Sequence, residues 1–561
     1  MKQNYLFLLL LFPMLLIGQT TFTSSMAPDL SAYGLTEEYS GQGEYDIFLD
    51  TDNGIFDKPI ILIDGFDITD TRDINGIYNL MSYNGTSGSE NLLDLLRAEG
   101  FDIVILNFPE YTRAADGAEI DGGTDFIERN AMLMVDLMGI VNSTKVGDDE
   151  NVIIGLSTGG LVSRYALSYM EDNTIDADTR LWISFDAPHH GFNVPIGLQH
   201  QLNFLAFNPL EPVAEVQPTI DEFLDTPLAR QLLIDHYEPH LMDSEDVAFD
   251  PTLTLPIQDN FRTTFQLDIN ARANNGYPSN IRKVAITNGS GTGSPYFAIG
   301  NSGTVVSSGF TVINTSLLVP SEFGDIDIDL DLNFTPSAGT VGNVSTIVAD
   351  VSIFNITEVA NSEAYSEIDG VDAAPGGLFA LSNLTDNIDT TDPLTMDFLS
   401  AFQIDKFSFV PTVSALGLEI TNGTPIDWHF DIDLEGNATT NNTAFDNTYL
   451  PVANESHMQL TQDNAAFAMM EIMNPALSVN DDISNVFQLE KNPVKDKLVL
   501  LSNKNSQANI SITDISGKLV FKSTKILNNR NVLSVNLASG FYILNVNTED
   551  NSAFTTKFLV N

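Results

Sequence analysis

The chain of 561 residues contains no cysteine. That excludes disulfides, thiol catalysis and any cysteine-ligated metal centre. Basic residues are scarce: 24 Lys and Arg stand against 76 Asp and Glu, a formal net charge of −52. A field of that sign repels phosphate backbones and anionic membranes, so nucleic acid is excluded as a partner class. Beyond the N-terminus no apolar run is long enough to span a bilayer. Histidine occurs only seven times, so every candidate general base can be weighed by name.

What is present is globular in kind. Hydrophobic residues make up 43% of the chain, and the length exceeds what one core supports, so two or more domains are expected. The charge is unevenly spread. Residues 490–561 hold 9 basic and 5 acidic residues, net +4, while the remainder holds 15 basic and 71 acidic, net −56. An acidic, solvated surface suits a protein living in salt, where repulsion is screened. Met1-Lys2-Gln3-Asn4 followed by the apolar Tyr5–Gly18 reads as a secretory signal peptide, residues 1–19, cut near Gly18 or Gln19. An exported chain without disulfides is held by its core or by bound ions.

The most informative stretch is Asn151-Val-Ile-Ile-Gly-Leu-Ser-Thr-Gly-Gly160. An apolar run enters Gly155-Leu-Ser-Thr-Gly159 and a helical pattern leaves it. Such a G-x-S-x-G turn exposes a serine oxygen at the end of a strand, with glycines where backbones approach closely. The following helix points its first N–H groups at charge developing on a substrate. Ser157 is therefore the candidate nucleophile.

Around it, short continuous apolar runs alternate with helical periodicity. Lys58–Ile63, Phe101–Phe108, Asn151–Ile154, Leu181–Asp186 and Arg282–Thr287 read as buried parallel strands, and 90–99 and 125–141 as helices. This alternation predicts an α/β fold, a doubly wound, mostly parallel sheet covered on both faces. Residues 20–57 form a lead-in, and the main domain runs over 58–475. Within it, 193–275 read as a helical lid, and 290–400, rich in Gly, Ser, Thr and Asn, as a β-rich insertion. A polar linker, 476–487, leads to a small C-terminal β-sandwich, 488–561.

Two acidic motifs invite a structural calcium ion: Asp50-Thr-Asp-Asn-Gly54, and Asp325, Asp327, Asp329 and Asp331 on one face of a strand. A solvated loop and strand face explain them equally well. No cofactor is otherwise expected, and the sequence leaves the oligomeric state open.

Ile63-Asp-Gly-Phe66, Gly155-Leu-Ser-Thr-Gly-Gly160 and Asp186-Ala-Pro-His-His-Gly191 resemble segments of the α/β-hydrolase superfamily, in its lipase and esterase branch. The resemblance implies Ser-His-Asp acyl transfer in the chain order serine, acid, histidine. His457, before the final helix, is then the expected base. His189, His190, His200, His236, His240 and His429 are set aside to the pocket wall, the lid or a strand. The oxyanion donors are expected at the N–H groups of Thr158 and Phe66, with Asp67 as a wall or cap. For the acid, the usual place after Thr287 carries Asn288-Gly-Ser290 and no carboxylate. Asp446 is taken as the acid, with Asp405 and Asp186 as alternatives and Asp369 and Asp427 as outsiders.

The tail segments Asn492–Leu498, Ile512–Val520, Leu537–Leu544 and Lys557–Val560 resemble the C-terminal sorting domain of the Bacteroidetes type IX secretion pathway. That implies export through the outer membrane, to the surface or beyond, with the secretion machinery as partner. The expected function is a secreted serine hydrolase of carboxylic esters, acting on an ester or lipid. The alternatives are a non-catalytic surface adhesin on the same scaffold, or amide and peptide hydrolysis by the same triad.

Overall fold

The continuous apolar runs become strands with both faces covered. In the computed structural model, residues 18–560 are described except 87, 210–211, 215, 244, 300–302, 320–325, 352–353, 383–392, 419–424, 431, 433–442, 474–486, 495–496, 503–506, 515–517 and 549–552. The expected signal peptide and linker fall almost wholly outside the described residues, as does Asp325. The chain divides into two compact units, Met1–Ala465 and Ala466–Asn561. The division falls inside the helix Gln462–Met473, before the boundary at 475 expected from composition.

The first unit is built on an eight-stranded sheet. Its strands are β1 (Thr20–Thr23), β2 (Gln42–Phe48), β3 (Pro59–Ile63), β4 (Asp102–Asn107), β5 (Asn151–Leu156), β6 (Thr179–Phe185), β7 (Arg282–Ile286) and β14 (Asn447–Tyr449). Their spatial order is β1-β2-β4-β3-β5-β6-β7-β14. Strands β1 and β2 are antiparallel at one edge; every pairing from β4 to β14 is parallel. Ile60, Ile61, Leu62 and Ile63 of β3 are fully buried, as are Val104, Leu106 and Ile153. Burial on both faces is what a parallel sheet flanked by helices demands. Helices α1 (Leu92–Ala98), α2 (Ile127–Thr144) and α3 (Thr158–Asp172) supply that cover, and α1 is capped by the Asn91 side chain.

Strand order reverses around β3, between β4 and β5. In open α/β sheets, ligands bind at such a switch point, beyond the carboxyl ends of the strands. The register brings those ends level: Ile63 lies opposite Gly155, Leu156 opposite Phe185, and Phe185 opposite Ile286.

The β-rich insertion is an antiparallel meander of β8 (Thr311–Val319), β9 (Ile326–Asn333), β10 (Val341–Val351) and β11 (Phe354–Glu363). It is followed by a two-stranded ribbon, β12 (Gly376–Ala380) with β13 (Lys406–Pro411), reaching past the expected limit at 400. Helix α4 (Ile196–Phe207), in the region expected as a lid, is buried along nearly its whole length. It packs on the meander so closely that a Cβ on Gly197 would meet Leu332 Cδ1 at 2.8 Å. Its apolar residues belong to the core of the unit and pack on the insertion.

The second unit has its own apolar core of Leu498, Leu500, Ile510, Ile512, Leu544, Val546 and Phe558. Two antiparallel sheets enclose it. One has three strands, Phe487–Leu489, Leu498–Ser502 and Arg530–Leu533. The other has four, Leu519–Ile526, Gln507–Asp514, Gly540–Thr548 and Ala553–Val560. Buried and exposed residues alternate along Gln507–Asp514, as a strand with one face on a core requires.

Candidate active site

Ser157 sits in the turn between β5 and α3 with φ 48° and ψ −123°, a conformation that costs a non-glycine residue about 1–3 kcal/mol. The surrounding glycines make the turn sterically possible. A Cβ on Gly159 would meet the Ile63 carbonyl oxygen at 2.6 Å, and one on Gly155 would meet Gly160 Cα at 2.6 Å. The Ser157 N–H donates to the Phe185 carbonyl at 2.9 Å, fastening the turn to β6. The sequence pattern has become a rigid platform that holds one serine oxygen at the switch point.

His457 Nε2 lies 2.8 Å from Ser157 Oγ, and its Nδ1 lies 2.7 Å from Asp186 Oδ2. A carboxylate oxygen accepts, so Nδ1 carries the proton and Nε2 accepts from the serine hydroxyl. The Phe409 ring stands edge-on to the imidazole at 5.1 Å. The His457 N–H donates to the Leu378 carbonyl at 2.8 Å, pinning the histidine loop to β12. Asp186 follows β6, is fully buried, and accepts at Oδ1 from the Asn288 N–H at 3.0 Å and Thr287 Oγ1 at 3.3 Å.

Asp446 is not the partner of this histidine. It is exposed, it accepts from the Lys283 N–H at 2.7 Å, and its carboxylate lies 3.9 Å from Lys283 Nζ. Asp446 precedes β14 and pairs with the start of β7, whereas His457 gathers with the strand ends. Four residues of strand separate the two levels, roughly 13 Å. Asp405 is exposed at the start of β13. Asp369 and Asp427 accept N–H groups of Ala338 and His429.

The loop after β3 approaches Ser157 directly. A Cβ on Gly65 would come within 2.9 Å of Ser157 Cβ, so only glycine fits there. Phe66 packs against Phe223 at 5.2 Å and lines a cavity of about 150 Å³. Arg72, Leu378, Phe379, Phe409 and Met458 also line it, together with Ser157 and His457. Among the described residues of 193–275, none lines this cavity. Arg72 Nη2 donates to the Phe66 carbonyl at 2.6 Å and to Asp64 Oδ2 at 3.3 Å, while Asp67 accepts the Arg72 N–H at 2.8 Å. Asp67 is thus a brace of the loop. Burial pushes the Asp64 carboxyl up to about 6, against the pull of the Arg72 guanidinium. Burial works against the Arg72 charge, and Asp64 and Asp67 more than offset it.

His189 and His190 lie beneath the turn and outside the cavity lining. His189 Nε2 is 2.8 Å from Ser184 Oγ, and His190 Nε2 is 2.9 Å from the Leu418 carbonyl. Burial holds both below the usual histidine range. Asp50 accepts the N–H groups of Asp52, Asn53 and Gly54, an arrangement of a turn. Among the described residues, His236, Glu238 and Asp259 bring three ligand types together. Their atoms are engaged: His236 bonds through both ring nitrogens, and Asp259 pairs with Arg230 at 2.9 Å.

Sequence reasoning missed Arg72, Asn288 and the wall supplied by β12 and β13. For Asn288 a signal existed, since it occupies the position where a carboxylate was sought. The wall residues are separated from Ser157 by more than two hundred positions and carry no motif.

Residues 492–561 match the family described as the secretion system C-terminal sorting domain. The chain carries a sorting tail. Such a domain marks it for export by the type IX pathway, to the cell surface or outside. Among the described residues no helix is long and apolar enough to cross a membrane. Comparison with curated proteins yields no match. Among solved structures, Est1E from Butyrivibrio proteoclasticus is similar at 12% identity and TM-score 0.18, over 26% of this chain and 47% of that one. The chain thus spans about half the length of that relative. A Pyrobaculum calidifontis esterase is similar at 10% identity and TM-score 0.22, over 47% of this chain and 75% of its own. A peroxisomal alpha-beta-hydrolase from Saccharomyces cerevisiae is similar at 13% and 0.22, over 37% and 57%.

Proposed function

We propose that this chain is an exported serine hydrolase of carboxylic esters, with an α/β-hydrolase domain and the triad Ser157, His457 and Asp186. The observation that carries the reading is the unbroken chain of contacts Ser157 Oγ–His457 Nε2–Nδ1–Asp186 Oδ2, at 2.8 and 2.7 Å, on a strained strand-to-helix turn. A nucleophile, a base and a group that orients the base are the three parts that activated-serine chemistry needs.

Ser157 Oγ attacks the ester carbonyl while His457 Nε2 takes its proton. Asp186 holds the ring by the Nδ1 proton and stabilises the imidazolium that forms. The N–H groups of Thr158 and Phe66 receive the oxyanion. The imidazolium returns its proton to the leaving alkoxide, giving an alcohol and an acyl-serine. Water then attacks the acyl group as His457 again removes a proton, and His457 returns that proton to Ser157 Oγ as the acyl–oxygen bond breaks and the carboxylic acid leaves. The apolar wall of Phe66, Leu378, Phe379, Phe409 and Met458 suits a small acyl group, since the cavity holds about 150 Å³.

The test uses nitrophenyl esters of graded acyl length with the wild type, Ser157→Ala and His457→Ala. Turnover that both substitutions abolish, with fluorophosphonate labelling lost in Ser157→Ala, supports the reading. Turnover indifferent to Ser157 removes it; no turnover and no labelling remove it and leave the non-catalytic adhesin alternative.

A further inference from the structure

Beside the triad lies a polar cluster, centred on one buried amide, that the mechanism does not use. Asn288, fully buried, follows β7. Its N–H donates to Asp186 Oδ1 at 3.0 Å, and its carbonyl accepts the Glu455 N–H at 2.8 Å. Its side-chain amide donates to Glu455 Oε2 and to the Gln459 carbonyl, both at 2.9 Å. Glu455 and Gln459 bracket His457, so one residue touches the acid on one side and both flanks of the base on the other.

We propose that Asn288 is a positioning residue of the triad, tying the His457 loop to Asp186 through an amide that a carboxylate cannot replace. The inference rests on the triad reading above. Both groups facing the Asn288 amide nitrogen are acceptors, a carboxylate and a carbonyl. A carboxylate at this fully buried position would set acceptor against acceptor. Titratable or charged groups near Glu455 include Asp186, Asp463, Tyr449, His457 two residues on and Lys406, which donates to the adjacent Ser456; burial together with the two aspartates pushes Glu455 up to about 7, against the Asn288 hydrogen bond. The position after β7 is neutral because its neighbour is acidic, and the triad's carboxylate stands one strand away, after β6.

The experiment is a double-mutant cycle in the full chain, reading kcat and KM on a nitrophenyl ester at several pH values around 7. Asn288→Asp is expected to lower kcat roughly thirtyfold at and above neutrality, the size expected when a buried acceptor loses its donor, with KM little changed. The loss shrinks on the acid side, where Glu455 is protonated and can donate to the new carboxylate. Adding Glu455→Gln returns a donor to the opposite side of the contact and recovers much of the loss, a coupling that general destabilisation does not produce. Asn288→Ser, which keeps the backbone N–H on Asp186 but drops the bridge, lowers kcat at every pH. Additive losses in the cycle, or Asn288 variants as active as wild type while turnover still depends on Ser157, overturn the inference alone. Turnover that does not depend on Ser157 overturns the triad reading and the inference with it.

Discussion

Strands β7 and β14 run in parallel and have an aspartate at each end of their neighbourhood, in opposite circumstances. At the amino ends Asp446 is exposed and shared between the Lys283 backbone and ammonium. At the carboxyl ends Asp186 is fully buried, and its oxygens are held by Asn288, Thr287 and His457. The same side chain ties strands together at one end and orients a histidine at the other. What differs is desolvation and the company of neutral donors, which a linear sequence does not display.

That contrast can be broken in stages. Removing the nucleophile comes first: Ser157→Ala is expected to lower kcat about 10⁶-fold with the fold intact, measured as ester turnover with circular dichroism as the control. Disturbing the buried acid from behind comes next. A Cβ on Gly377 would collide with Asp186 Oδ2, so Gly377→Ala should tilt the carboxylate away from His457 and cut kcat about a hundredfold. Equal kcat in that variant would mean that the acid's placement does not matter. Loosening the loop after β3, the proposed oxyanion loop, is milder. Arg72→Gln leaves the Phe66 carbonyl with a weaker partner, and kcat should fall about tenfold with KM nearly constant, as for a displaced rather than deleted donor. Least of all, Asp446→Asn at the exposed end should change thermal stability by less than about 1 kcal/mol, read from the unfolding midpoint.

Much of this site was legible in the sequence. The strand–turn–helix at Ser157, the close glycine of the Asp64-Gly-Phe66 loop, the histidine before the last helix of the domain and the sorting tail all carry local signatures. The parallel sheet followed from alternating apolar runs. The acid did not follow, for a definable reason. Asp446 lies nearer His457 in the sequence, but it precedes its strand, while Asp186 follows one. In a parallel sheet that direction decides which end a side chain reaches. The region read as a lid, 193–275, was equally opaque: part of its apolar content belongs to α4, which is buried in the core against the insertion. The cavity wall from β12 and β13 depends on a ribbon whose two strands are separated by residues 381–405.

The central claim is that Asp186, not Asp446, orients the base that activates Ser157. It is tested most directly by measuring kcat/KM of Asp186→Asn and Asp446→Asn side by side on one nitrophenyl ester. The account predicts a loss of about 10⁴-fold for Asp186→Asn, as when an asparagine fixes the wrong histidine tautomer, and less than about a twofold change for Asp446→Asn. A large loss in Asp446→Asn with Asp186→Asn near wild type would contradict it.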